Sequence, residues 1–157
     1  MLDFVLRYVG FLKHVPGLPL FLDGLLRGVT ALTQPKLYRS VEALEHTVQS
    51  WPEMNLSVHR YGGIQFNFRG REIGHIHGNG LLDLRLTRKL KNVLVEQGIA
   101  RAHHVFAETG WASFDLDGDN LDTAVELCKL AQAVVEKSAP SLAEYPRSSL
   151  LLPASSI

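Results

Sequence analysis

Cysteine is almost absent from this sequence: Cys128 is the only one in 157 residues. A single thiol excludes an internal disulfide and a cysteine-based zinc site, and it fits a reducing compartment. Its place in a helical apolar pattern makes it a core filler rather than a nucleophile. Net charge is missing too, with 16 basic residues against 16 acidic ones. No long-range field therefore points to nucleic acid or to anionic lipid. No charge-free apolar run reaches the roughly 18 residues of a spanning helix, and no small-residue cleavage site follows a short apolar core. P-loop, GxGxxG, GxSxG and HExxH motifs are absent, so nucleotide-dependent, serine-hydrolase and zincin chemistry have no motif behind them. The expected location is the cytoplasm, with peripheral membrane contact as the alternative.

Histidine is what the chain has in excess. There are seven, and His75, His77, His103 and His104 form two tight pairs. The first pair lies in Arg71-Glu72-Ile73-Gly74-His75-Ile76-His77, followed by Gly78-Asn79-Gly80 and Leu81-Leu82-Asp83-Leu84-Arg85-Leu86. Two alternating runs around a Gly/Asn turn predict a β-hairpin. Strand alternation puts Ile73, His75 and His77 on one face and Glu72, Gly74 and Ile76 on the other. A three-residue turn over 78–80 sets His77 opposite Leu81 and His75 opposite Asp83. Asp83 and Arg85 then share the histidine face, and the leucines join Ile76. A two-residue turn would reverse that assignment.

Elsewhere the pattern is simple. Leu2–Lys13 and Leu20–Leu32 read as two helices with wide apolar faces, the second with Asp23, Arg27 and Thr30 as its polar stripe. They predict an apolar hairpin over 1–35, packed on the domain or on a second copy of the chain. An interfacial pair lying on a membrane is the alternative. Ser40 is placed to cap a helix that stops at Trp51-Pro52. Asn55–Tyr61 and Ile64–Phe68 read as strands, and Arg69-Gly70 as a two-residue turn that pairs Phe66 with Ile73 and Ile64 with His75. Thr87 caps a helix ended by Gly98. A short extended stretch with His103-His104, a strand over Trp111–Leu116 and a helix capped by Asp119 or Asn120 complete the pattern. The fold class is α+β, an antiparallel sheet packed by helices over 36–137, with a Pro/Ser-rich tail over 138–157.

His75-x-His77 with His103 or His104 can supply nitrogen ligands to a metal, and Asp83 or Glu72 an oxygen. The same cluster can act as a general base beside an acidic enol or phenol, because imidazole titrates near neutrality. Phe66 and Trp111 offer aromatic walls, although a single tryptophan is ordinarily a core residue. Asp115-x-Asp117-Gly118-Asp119 has its glycine out of place for a calcium loop and reads as a strand-to-helix turn.

The Arg71–His77 string, the helix ending in Gly98, His103, Trp111 and the closing helix together resemble the luciferase domain of bioluminescent fungi and of small bacterial proteins that share it. The resemblance covers about residues 55–135. It implies a reaction of O2 with a hydroxylated styrylpyrone, without a metal or organic cofactor. Carried over residue by residue, it marks Arg71, Glu72, His75, His77, His103 and Trp111, with His104 adjoining. The resemblance and the hairpin reading together give His75, His77, His103 and Glu72 as the expected catalytic residues, and Arg71, Phe66, Asp83, Arg85, His104 and Trp111 as those expected around the substrate. A metal held through His75 and His77 and a binding module without turnover are the competing expectations. The turn at Gly78-Asn79-Gly80 and the short loop between His104 and Trp111 depart from the fungal pattern. The expected partner is a small molecule, with residues 2–32 available to a membrane surface or a second copy.

Overall fold

The computed structural model describes residues 18–136. The helix expected over Leu2–Lys13 and the tail from Ser138 lie outside the described residues. Four helices and six strands follow in the order α1 (Leu18–Thr33), α2 (Pro35–Gln49), β1 (Met54–Val58), β2 (Ile64–Phe68), β3 (Arg71–Ile76), β4 (Leu81–Arg85), α3 (Arg88–Glu96), β5 (Arg101–Ala102), β6 (Trp111–Asp115) and α4 (Leu121–Val135). The strands form one antiparallel sheet in the order β1-β2-β3-β4-β6-β5. The fold is α+β, as the pattern predicts.

One face of the sheet is the core. Phe66, Phe68, Ile76, Leu82, Leu84, Ala112 and Phe114 are buried there together with Leu37, Val41, Leu44 and Val48 of α2 and Leu127, Cys128, Ala131 and Val135 of α4. These helical positions recur at three- and four-residue spacing, so each helix turns one continuous stripe to the core. The other face carries a polar row across five strands. Ser57, Gln65, His75, Asp83 and Ser113 are successive cross-strand neighbours in it.

Three local expectations are corrected. α2 begins at Pro35, whose fixed φ suits the first helical position. Ser40 is inside the helix, buried, and its hydroxyl donates to the Gly118 carbonyl. Asn120 precedes α4 without capping it through its side chain; Asp117 instead accepts from the Asp119 and Asn120 backbone N–H groups. The third correction matters most. The Arg69-Gly70 turn does pair Phe68 with Arg71 and Asn67 with Glu72, but Phe66 then faces Gly74 and Gln65 faces His75. Ile73 is an unpaired bulge residue, fully buried in the core. Past the bulge the alternation is shifted by one residue. Glu72 and His75 therefore share a face, and Ile73 leaves the histidines. Gly74 is held close, since a Cβ there would lie 2.5 Å from the Asp83 carbonyl oxygen.

α1 does not bury its apolar face on the domain, one of the packings its pattern allows. Its polar stripe faces the domain: Thr30 is buried and Arg27 makes a two-bond ion pair with Glu45 of α2 at 2.8 Å. Phe21, Leu25, Val29 and Leu32 are exposed instead. Among the described residues, no helix is long and apolar enough to cross a membrane.

Candidate functional site

Asp83 is the centre of the polar face. Its side chain is 1 % exposed, and burying a carboxylate this deeply is costly unless partners surround it. Oδ1 accepts a hydrogen bond from the Ser113 hydroxyl. Oδ2 faces three imidazoles: His75 Nε2 at 3.5 Å, His103 Nε2 at 3.6 Å and His77 Nε2 at 3.9 Å. None of these is a hydrogen bond by geometry, and Oδ2 has no hydrogen-bond partner.

The three-residue turn expected after His77 is present, because His77 N–H donates to the Leu81 carbonyl and Gly80 N–H to that of His77. It sets His75 directly opposite Asp83. β6 brings Ser113 to the other side of Asp83, and the loop after β5 delivers His103. Trp111 packs near both rings, with centroids 5.7 Å from His75 and 6.0 Å from His103.

Each histidine has a polar neighbour at its far nitrogen. His75 Nδ1 lies 2.8 Å from Glu72 Oε1, a contact the bulge makes possible. His77 Nδ1 lies 3.4 Å from Asp23 Oδ1 on α1. Asp23 Oδ1 also accepts the Gly78 backbone N–H at 3.1 Å. α1 seats tightly at this point: a Cβ on Gly78 would lie 2.7 Å from the Arg27 Cβ. His103 Nδ1 accepts the backbone N–H groups of Val105 and Phe106 at 3.1 and 3.2 Å. An accepting Nδ1 carries no proton, so the ring hydrogen of neutral His103 sits on Nε2, aimed at Asp83.

These surroundings set the charges. Burial works against a proton on His75, but Asp83 and Glu72 on its two nitrogens outweigh it and raise its pKa to about 9. Burial works against the charge on Asp83 as well, and His75, Ser113 and His103 overcome it, holding the carboxyl below its usual range. Asp23 is lowered in the same way, by His77 and the Gly78 N–H against burial. His59 and His103 move the other way: burial lowers both. His59 stacks on His75, with centroids 3.9 Å apart and planes within 9°.

Of the ten residues singled out from sequence, the fold brings Glu72, His75, His77, Asp83, His103 and Trp111 together. His104 is exposed and stacks on the outer side of His103 at 4.6 Å. Arg85 is exposed at the end of β4, opposite Trp111. Phe66 is on the core face, away from the histidines. Arg71 is also apart, with its guanidinium donating to the Val135 carbonyl at 3.2 Å. Asp23, His59 and Ser113 join the cluster without having been singled out. Ser113 was within reach, since it follows from continuing the hairpin register into the next strand. Asp23 and His59 come from a helix and a loop whose docking no local pattern encodes.

The comparisons with known proteins agree with the sequence resemblance. Residues 70–131 match the family model described as Luciferase domain. No curated protein and no solved structure matches the chain. The segment that supplies Glu72, His75, His77, Asp83, His103 and Trp111 is thus the part of the chain that matches the luciferase domain family.

Proposed function

We propose that this protein is an oxygenase-type enzyme that adds O2 to a small planar enol or phenol, of the kind represented by a hydroxylated pyrone. The observation that carries the reading is the convergence of three imidazoles on Asp83 beside Trp111, all within the segment matched to the luciferase domain. His77 is the base. Asp23 Oδ1 stands 3.4 Å from its Nδ1, and with the ring proton turned toward that carboxylate the Nε2 lone pair is free to accept the substrate's proton. His77 is also the least buried of the three rings around Asp83. His75, protonated between Glu72 and Asp83, stabilises the resulting anion, and the His103 N–H adds a hydrogen bond.

The enolate carbon then forms a bond to O2, with its electron pair reducing the O–O unit to a peroxide. The proton held on His77 passes to the distal oxygen, so enol and O2 together give a hydroperoxide, and no external reductant is consumed. The test is oxygen uptake with a panel of planar enols and phenols that includes a hydroxylated styrylpyrone. Uptake by the wild type that falls at least a hundredfold in His77→Ala supports the proposal. Equal uptake by both proteins, or none with any compound, refutes it.

A further inference from the structure

We propose that His75 Nε2, His77 Nε2 and Asp83 Oδ2 form a binding site for one divalent first-row transition-metal ion. The three ligand atoms all lie within 4.8 Å of one another. Asp83 Oδ2 is buried and without a hydrogen-bond partner, although two imidazole nitrogens stand 3.5 and 3.9 Å away. A buried carboxylate oxygen left unpaired is costly, and groups meant only to pair with it close to about 2.8 Å. Ligands around one ion, each at roughly 2.1 Å, stand roughly 3 to 3.5 Å apart. The two nitrogen-to-oxygen distances, 3.5 and 3.9 Å, reach that range with a shift of about half an ångström or less.

The supporting contacts follow the same logic. Glu72 holds His75 through Nδ1, Asp23 faces His77 Nδ1, and Ser113 holds Asp83 through Oδ1. Each ligand is oriented through its far atom, leaving the near atom for an ion. His103 is excluded as a ligand. Its Nδ1 already accepts two backbone N–H groups, so its Nε2 bears a proton and has no lone pair to give. A second candidate set, His59, Glu72 and His75, is geometrically close. Its two rings are stacked face to face, however, so their in-plane lone pairs run side by side and do not converge.

Two imidazoles and one carboxylate leave coordination positions open, the donor set of non-haem iron(II) oxygenases, and zinc accepts it too. The ion displaces the Nε2 proton of His75, whose remaining proton stays on Nδ1 toward Glu72, and stands where His77 Nε2 accepts a proton in the metal-free enzyme. An ion here also acidifies an enol oxygen bound to it. Binding itself does not rest on the oxygenase reading; only the use made of the ion does.

The test uses the full chain, stripped with chelator, then titrated with zinc(II) and, without oxygen, with iron(II). One equivalent bound per chain is expected, with the wild-type melting temperature rising as free metal rises. His77→Ala should weaken binding at least a hundredfold, and Glu72→Gln ten- to a hundredfold. His103→Ala and His59→Ala should stay within about threefold. If a ligand variant fails to fold, nitrogen-15 spectra of the wild type decide, since zinc should shift Nε2 of His75 and His77 and leave Nε2 of His103 protonated. No stoichiometric ion, or loss of binding in His103→Ala, overturns the site. Because no substrate enters these measurements, oxygenase failure leaves the metal result standing, and metal failure leaves the proton-transfer reading standing.

Discussion

The protonated His75 makes a quantitative prediction about stability in the metal-free protein. Its pKa is about 9 in the folded state, against an unfolded value of about 6.5. A raised folded pKa means the folded state binds the extra proton. The contribution is therefore fully present below pH 6.5 and is lost as pH rises through 9. Other groups confine the useful window. His59 and His103 are lowered by burial, so their linkage acts below about pH 6.5. The buried Cys128 thiol is pushed up, so its linkage acts above the free-thiol value of about 8.5. Between pH 7 and 8.5 His75 dominates. One pKa unit corresponds to about 1.4 kcal/mol, so stability should fall by roughly 1.5 to 2 kcal/mol across that window. The assay is urea unfolding of chelator-treated protein at half-unit pH steps, with His75→Gln as the reference. The variant should show a flat profile. A wild type as flat as the variant would mean that His75 is not held protonated between Glu72 and Asp83.

Three further outcomes follow from the packing. Gly78→Ala puts a Cβ within 2.7 Å of the Arg27 Cβ, so it should lose about 1 to 3 kcal/mol in urea unfolding. Asp23→Asn keeps the shape but removes the charge facing His77; oxygen uptake should drop tenfold or more while the circular dichroism spectrum stays unchanged. Cys128 is completely buried, so a thiol reagent should label native protein only as fast as it unfolds, and denatured protein at once.

The legible parts of the fold were those fixed by neighbours in the chain. Thr87 caps α3 through Leu90 N–H as its position indicated, and Gly98 follows the helix with φ 70°. The 78–80 turn set the Asp83 partnership correctly for the same reason. The bulge was not legible, because Ile73 fits strict alternation as well as it fits the core, and only packing beneath α4 decides between them. That one-residue shift moves Glu72 to the histidine face, opposite to where strict alternation puts it, and leaves His75 where alternation puts it. Asp23 shows the other limit. Its helix presents an apolar majority, and amphipathicity alone turns that majority inward, whereas the ion pair of Arg27 with Glu45 and the close seat on Gly78 turn it outward.

The bulge in β3 also bears on how this strand can change over evolutionary time. Substitutions along it alter one side chain each and leave the two faces intact. A one-residue deletion at Ile73 would remove the bulge and leave Glu72, Gly74 and His75 in plain alternation, with Glu72 and His75 still on the polar face. What would be lost is the fully buried Ile73 side chain, not the division of the strand into two faces. The extra residue thus serves the apolar layer alone: it adds one core side chain, while the chemistry on the polar face can be retuned residue by residue around it.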